Sequence, residues 1–468
     1  MANSAILKSF GATLVVLAGL MAMVSAASLL WPDETAEAYL YGAAIAGFAG
    51  AALLLIAESG RTETDFRTAI FFVLFWWTGV PIFACAPFLF SGIEPVGAYF
   101  EAVSALTTTG AWLAPDELLE SPLGALWRAA LQWLGGLASL AVAAAIFIRP
   151  AFIGIETLSP PFSSGDNDSA LAAVRAATEA FIGVYGGLTA LCFLLLTATG
   201  VPGLEALITA MSTLSSGGFL PALEAGGADA ANSVNRATAF ILTPFLFLSG
   251  ANFILITRLA TAGSMREKDI ETRAYAAAIL IVACVYWLAL GAGDMRKIAD
   301  QIFNATSLFS TTGVTIGEAP TLPFVLVTII IGGAAVSTAG GFKILRWLVI
   351  IRRAREEVRR LVIPNGVFGG RQVAEELGVW IHFLVFTLTL GVLTLALTLG
   401  GHPFELSATV ATAMLANAGP VVFLVEGAPG GYGAFSPPLQ AVMCVAMVLG
   451  RLEAVVALAL FNNAFWRS

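Results

Sequence analysis

The stretch SLFSTTGVTIGEAPTLPFVLVTIIIGGAAVSTAGGFKILR, residues 307–346, decides the fold predicted for this chain. A hydroxyl-rich run ending in glycine, residues 310–313, precedes an apolar run, residues 324–331, that predicts a membrane-spanning helix. That helix then meets a cluster of small residues at 332–341. Irregular backbone at membrane depth is tolerated only where protein buries it or water reaches it. The stretch therefore predicts a cation-coordinating loop followed by a gate.

Composition places the whole chain in a membrane. Of its 468 residues, 58% are hydrophobic and only 12% are charged, whereas soluble domains carry about 25% charged residues. Apolar runs of about 20 residues, the length needed to span a bilayer, recur from end to end. The first of them, residues 4–30, is longer than the apolar region of a signal peptide and predicts a spanning helix. We therefore expect an all-α integral membrane protein.

Cysteine and histidine usage argues against metal or catalytic chemistry. The four cysteines (Cys85, Cys192, Cys284 and Cys444) are far apart in apolar runs, which predicts buried small hydrophobic residues without disulfides. The two histidines have no partner cluster. We expect no enzyme activity and no covalently bound cofactor.

The chain divides into two N-terminal helices and four repeated units. Each unit contains a long helix, a short helix, a hydroxyl- and glycine-rich loop, and a second long helix. The predicted boundaries are 1–60 for the helix pair, then 61–150, 151–265, 266–360 and 361–468 for units one to four. The ten predicted spans cover residues 6–30, 36–57, 67–90, 123–148, 170–199, 234–260, 275–292, 324–351, 373–399 and 437–463.

The repeat is clearest in the four loops. They read TTTGA at 107–111, SSGGF at 215–219, STTGV at 310–314 and ANAGP at 416–420. Their glycines lie 108, 95 and 106 residues apart, from 110 to 218, 218 to 313 and 313 to 419. Each preceding short helix, predicted at 95–106, 203–214, 298–309 and 404–415, would measure ~18 Å. That length reaches only halfway through a ~30 Å hydrocarbon core.

The loop chemistry suits a dehydrated monovalent cation. Converging backbone carbonyls can replace an ion's water shell, and glycine permits the φ > 0 backbone that turns carbonyls inward. Each short helix would point its negative dipole end at the membrane centre. A single TTTG run indicates helix packing more often than an ion site. Four copies at near-equal spacing reverse that balance.

Charge placement predicts orientation. Arginine and lysine cluster after the interrupted helix, between units two and three and before unit one, and this side is expected to be cytoplasmic, with both termini. The opposite side is rich in Asp and Glu, which would raise the local cation concentration.

Three further motifs, QWLGG at 132–136, GGAAVSTAGGFK at 332–343 and GRLEAVVALALF at 450–461, resemble those of known transporters, as do the four loops. The chain is similar to the Trk/Ktr/HKT superfamily of potassium transporters, of the TrkH/TrkG type, over nearly its whole length. The resemblance implies four pseudo-symmetric units around one pore and K+ uptake across a bacterial inner membrane. It further implies a homodimer in membrane lipid and a separate cytosolic nucleotide-binding, TrkA-like ring, with no nucleic-acid partner. The chain departs from the pattern in loops two and four, and at Ala138, where a glycine is expected.

The predicted sites follow from these motifs. The K+ selectivity filter is predicted at Thr108, Thr109, Gly110, Ser216, Gly217, Gly218, Thr311, Thr312, Gly313, Asn417, Ala418 and Gly419. The gate is predicted at Gly332, Gly333, Ser337, Thr338, Gly340, Gly341, Lys343 and Arg451.

Three of these residues leave alternatives open. By the resemblance, Arg451 projects into the pore as an electrostatic barrier; otherwise it pairs with Glu453 or extends to the interface. Lys343 is either a tether for the irregular segment or an interfacial anchor. Asn417 either donates an oxygen to the ion site or stabilises its loop, and we favour the second role.

Two other transport functions also remain open. One is a secondary transporter that couples K+ to H+ or Na+ through broken helices, and the other is a less selective Na+/K+ permease. Four related quarters, with no carboxylate inside the loop motifs, favour a channel-like pathway.

Overall fold

The computed structural model describes residues 2–57, 66–114, 120–147, 170–221, 236–262, 269–290, 295–362, 373–428 and 430–452, and every regular element in these ranges is helical. The N-terminal pair consists of α1 (Ala2–Ala26) and α2 (Ala36–Ile56). These two helices approach closely through glycine, because a Cβ at Gly11 would lie 2.9 Å from the carbonyl oxygen of Gly50. Small residues are the usual means by which membrane helices pack.

The four units follow in chain order. Unit one contains α3 (Phe66–Ala84), α4 (Ala86–Phe90), α5 (Pro95–Leu106) and α6 (Pro122–Val142). Unit two contains α7 (Ala170–Ala198), α8 (Gly203–Ser215), α9 (Arg236–Gly250) and α10 (Phe253–Ala262). Unit three contains α11 (Ile270–Ala289), α12 (Met295–Phe309), α13 (Leu322–Ile331) and α14 (Ile344–Val362). Unit four contains α15 (Val373–Leu399), α16 (Phe404–Ala416) and α17 (Pro437–Leu452).

Within the described residues, six helices are long and apolar enough to cross a membrane, or seven when α9 and α10 count as one bent span. The sequence predicts ten. The remaining three are α6, which carries Arg128 and Gln132 and is largely buried in protein; α13, which ends at the interruption; and α17, which is described only to Leu452. The last part of the predicted 437–463 helix lies outside the described residues.

One predicted span is wrong in shape. The sequence predicts a continuous helix over 234–260, whereas the chain bends by 105° between α9 and α10. Backbone groups freed at such a bend need new partners inside a membrane. The partners come from unit three and are described below.

Burial separates an outer layer from a centre. Only 22–28% of the spanning part is buried in α1, α2, α7, α11 and α15. By contrast, α5 buries nine of its 12 residues and α16 buries ten of its 13. These five long helices therefore present apolar surface to lipid, while the short helices and the loops after them lie in the interior of the protein.

The short helices match the predicted ones closely. α5 is predicted to the residue, α8 and α16 each extend one residue further, and α12 begins three residues earlier. Proline marks three of the four starts, at position 95 inside α5 and just before α8 and α16 at Pro202 and Pro403. Its fixed φ favours the beginning of a helix, where its missing N–H costs nothing.

Candidate functional site

All four short helices end in the same way. The residue two positions before each loop glycine is left-handed, with φ of 54–59°: Thr108, Ser216, Thr311 and Asn417. The next residue donates its N–H to the carbonyl five positions back at 2.8–2.9 Å, which is the Schellman arrangement that normally takes glycine. A left-handed conformation costs other residues roughly 1–2 kcal/mol. Each loop therefore retains a side-chain oxygen at a position where glycine would be more stable, a feature that was not predicted from the sequence.

The glycine at the fourth position of each motif has the predicted positive φ in three loops. Gly110, Gly218 and Gly313 have φ of 70–79°. The prediction is wrong for Gly419, which is not left-handed and begins a 3-10 helix, Gly419–Leu424. Close approach explains glycine there, because a Cβ on Gly419 would lie 2.6 Å from the backbone nitrogen of Ala111.

The loops meet one another in a ring. At three joints, the carbonyl of the residue before a loop glycine faces the glycine of a neighbouring loop. These joints are Gly217 O at 2.1 Å from the Cβ position of Gly110, Thr312 O at 2.5 Å from that of Gly218, and Thr109 O accepting the Gly419 N–H at 2.6 Å. At the fourth joint, Pro420 and Val421 lie against Gly313. The structure thus brings all four predicted motifs together.

A serine braces each of the first three loops. The hydroxyl oxygen of Ser104, Ser212 or Ser307 accepts the backbone N–H seven residues later, at 2.8, 2.8 and 3.1 Å. In unit four, the equivalent positions are Ala413 and Pro420, so the hydroxyl and the N–H are lost together. Loop four therefore lacks both the serine and the N–H that the serine would accept, and no donor is left unpaired at this position.

Polar side chains from other elements hold the loops. Gln132, in the QWLGG motif, donates to the Gly217 carbonyl at 2.8 Å. Asn417 donates to the Thr109 hydroxyl at 2.9 Å and to the Met447 carbonyl at 3.0 Å, which agrees with a loop-stabilising role.

A buried ion pair braces the chain just after loop one. Arg128 and Glu101 are 2.7 Å apart, and Glu101 also accepts the Leu113 N–H at 2.8 Å. Neither charge was predicted from the sequence to have a role at the site. Their location within apolar helices is the signal that would have marked them, because intramembrane charges pair or face a cavity.

The predicted interruption of the third unit is present. Residues 332–343, here called the intramembrane segment, leave α13 at Gly332 with φ 71° and rejoin a helix at Ile344. The ends of the segment meet: the Phe342 N–H donates to Ile330 O at 2.8 Å and the Ile344 N–H to Gly333 O at 3.0 Å. The segment is therefore a loop whose two ends are hydrogen-bonded to each other.

This segment lies against the ends of the short helices. The Thr338 hydroxyl donates to Leu214 O at 3.1 Å and the Gly340 N–H to the Thr311 hydroxyl at 2.7 Å. A Cβ on Gly340 would lie 2.0 Å from Ala416 O, so only glycine fits there. Units two, three and four thus contact the segment directly.

Arg451 connects the first unit to the intramembrane segment. Its Nε donates to Thr107 O at 2.9 Å and its Nη1 to Thr338 O at 2.7 Å. Arg451 is 8% exposed, so it does not extend to an interface. The alternative partner, Glu453, lies outside the described residues. The guanidinium therefore joins the end of α5 to the intramembrane segment.

Lys343 acts within the segment. Its ammonium donates to the Ser337 hydroxyl at 3.4 Å and to the Ala339 carbonyl. These bonds favour the tether over the interfacial anchor.

Side-chain metal ligation finds no support in the part of the chain that the structure describes, where no group of three His, Cys, Asp or Glu residues could hold a metal ion.

Cys85, Cys192 and Cys444 are buried as expected, whereas Cys284 is exposed. Cys284 lies on the lipid-facing helix α11, so burial in protein was the wrong expectation for it.

Comparison with known proteins identifies the family. The family model described as "TrkH: Cation transport protein" matches residues 86–467. The chain is 28% identical to the Trk system potassium uptake protein TrkI of Halomonas elongata, with 93% of this chain and 92% of that protein covered. It is 28% identical to the Trk system potassium uptake protein TrkH of Escherichia coli K12, with 99% of each covered. The crystal structure of the potassium transporter TrkH from Vibrio parahaemolyticus superposes with a TM-score of 0.84 at 26% identity, covering all of both chains. The chain belongs to the TrkH family of cation transport proteins.

Proposed function

We propose that this protein is a channel-like K+ uptake protein of a bacterial inner membrane, with both termini in the cytoplasm. The observation that carries the proposal is the ring of four loops, in which four short helices end in the same left-handed turn. Relatives over the full chain length are named as potassium uptake proteins, which supports K+ as the ion.

The selectivity filter in this proposal consists of the loop residues predicted from sequence. Backbone carbonyls supply most of the oxygens, the Thr and Ser hydroxyls of the first three loops add side-chain oxygens, and Asn417 holds loop four in place. The C-terminal dipole ends of α5, α8, α12 and α16 add negative potential where the cation would sit. The close contacts at the loop glycines would fix the distances between the loops. Fixed distances between the carbonyl oxygens would favour an ion of one size.

The gate in this proposal is the intramembrane segment, closed by Arg451. The segment and the guanidinium together contact the C-terminal ends of all four short helices. An ion leaving the filter would meet this layer directly. Opening requires these hydrogen bonds to break so that the segment can move away from the short helices.

Regulation would act through α14, which continues directly from the segment. After its buried start the helix carries Arg352, Arg353, Arg355, Arg359 and Arg360. A cytosolic nucleotide-binding ring that moves α14 would pull on the segment. A homodimer in membrane lipid completes the proposed assembly.

One observation favours a second candidate, K+ movement coupled to H+ or Na+. Glu271 is a carboxylate buried next to the intramembrane segment, with 5% exposure. Coupled transport would accumulate K+ against its own gradient when a pH or Na+ gradient is imposed, whereas a channel-like pathway would not.

Flux through the purified protein in liposomes tests the function. Uptake of K+, Rb+, Na+ and Li+ is compared in the same vesicles, with protein-free vesicles as the control. We expect K+ and Rb+ to pass far faster than Na+ and Li+. Equal K+ and Na+ permeability would contradict the filter.

Replacing Arg451 by alanine is expected to increase K+ flux several-fold with the K+/Na+ preference unchanged. A fixed charge ~8 Å from the ion, at an effective dielectric of 20–80, opposes it by roughly 0.5–2 kcal/mol. Removing the guanidinium also removes two bonds that hold the segment. The measurement is flux in liposomes, and Arg175→Ala, which removes an exposed arginine charge on α7, is the matched control.

Two results would oppose this role for Arg451. Unchanged flux in a folded Arg451→Ala protein would make the residue a structural support only. Loss of K+/Na+ preference would place its main effect on loop one, through Thr107, rather than on the gate.

A further inference from the structure

Glu271 joins three separate parts of the molecule. It lies in the first turn of α11 and is buried. One carboxylate oxygen accepts the N–H of Ala335, in the intramembrane segment, at 2.6 Å. The other accepts the side-chain amide of Asn252, at the bend between α9 and α10, at 3.3 Å. None of these three residues belongs to the predicted gate.

The bend in unit two is shaped to receive the segment. Three backbone hydrogen bonds run between the two: Ala334 N–H to Gly250 O at 2.8 Å, Phe253 N–H to Val336 O at 2.8 Å, and Thr338 N–H to Ser249 O at 3.1 Å. They occupy backbone groups on both sides of the bend. The 105° break is therefore matched by a partner from unit three, and we call residues 249–253 the cradle.

Asn252 connects the cradle to the Glu271 carboxylate. Its side-chain oxygen accepts the Ile254 N–H at 3.1 Å, at the start of α10, while its amide nitrogen points to Glu271. Lys343, at the far end of the segment, interacts electrostatically with the same carboxylate. Glu271 thus interacts with the cradle through Asn252, with the beginning of the segment through Ala335, and with the end of the segment through Lys343.

A buried carboxylate is costly unless its oxygens are paired. An ionised carboxylate that accepts a backbone N–H forms a bond about twice as strong as a neutral one. The pairing depends on the present position of the segment, because Ala335 moves with it. Displacing the segment would leave Glu271 buried without one of its donors, which opposes the displacement.

We propose that Glu271 is the positioning residue that latches the intramembrane segment into the cradle in its closed position. This inference rests on the proposed function, in which the segment is the gate. The residue touches no transported ion in this account. It sets the ratio of closed to open protein through the Ala335 N–H and Asn252.

The test combines flux with amide hydrogen exchange. Glu271→Ala and Glu271→Gln are compared with the parent protein for Rb+ flux in liposomes and for exchange in the peptides that cover residues 332–343. Glu318→Gln is the matched control, because it neutralises an exposed carboxylate that pairs with Lys297. Glu271→Ala removes the bonds from the Ala335 N–H and from Asn252, and loss of the bond to the segment is expected to raise flux roughly tenfold. Exchange at Ala335 should accelerate in parallel, with Glu271→Gln intermediate because its amide oxygen still accepts.

Several outcomes would overturn the latch. Parental flux and exchange in both variants would do so, and so would lower flux in folded Glu271→Ala protein. If Glu271→Ala does not fold, the exchange rate of Glu271→Gln decides. Failure of the proposed function is distinguishable, because it would abolish Rb+ flux in the parent protein while the exchange comparison still tests the contact.

Discussion

Serine in place of Gly110 is expected to reduce the K+/Na+ preference at least about tenfold, which corresponds to about 1.4 kcal/mol. The new Cβ would lie 2.1 Å from the Gly217 carbonyl oxygen, which is backbone and cannot rotate away. Loop one, loop two or both must move, so the spacing of the carbonyls changes. The φ of 70° adds a further conformational cost for any residue with a side chain. The measurement is relative K+ and Na+ flux in liposomes.

Gly92→Ser is the matched control for this experiment. Gly92 also has a left-handed φ, of 94°, but a Cβ there meets nothing within 4 Å. The two variants therefore share a left-handed backbone, and Gly92→Ser lacks the contact between loops because Gly92 is exposed. If Gly110→Ser keeps the parental K+/Na+ preference, the ring of loops does not determine selectivity.

Deleting residues 334–339 is expected to give the largest increase in flux, together with the loss of most dependence on a cytosolic regulator. The deletion removes the part of the segment that bonds to the cradle, to Leu214 and to Arg451. The flanking residues already meet, since Gly340 O lies 2.3 Å from the Cβ position of Gly332. The shortened chain can therefore close without pulling α13 and α14 out of place.

Thr338→Val is the graded control for the deletion. It keeps the shape of the side chain and removes its bonds to the carbonyls of Leu214 and Ser249. We expect flux to rise in the same direction but by less. Flux that stays equal or falls in a folded deletion variant would mean that the segment supports the pathway and does not close it.

Much of this arrangement is predictable because it depends on local sequence. Apolar runs and proline positions define the short helices, and the near-equal spacing of four glycines defines the repeat. The interruption in unit three is predictable for the same reason, since two glycine pairs lie within ten residues there and each glycine weakens a helix. These features require no knowledge of which helix packs on which.

The features that the sequence did not predict depend on contacts between distant units. The bend after Gly250 has its explanation in residues 334–338, and the glycine at 419 has its explanation in loop one. Glu271 looks like an ordinary charge at a helix start until Ala335 is placed beside it. The left-handed residues two positions before the glycines of the first three loops were not predicted, because Thr and Ser rarely take that conformation.

The position of Rb+ in crystals of this protein tests the central claim most directly, because Rb+ substitutes for K+ and its anomalous scattering locates it without reference to the protein. We expect anomalous density between the four loops, within coordination distance of their backbone oxygens, and loss of that density when Rb+ is exchanged for Na+. Density elsewhere with none between the loops, in protein that carries Rb+ in liposomes, would contradict the account.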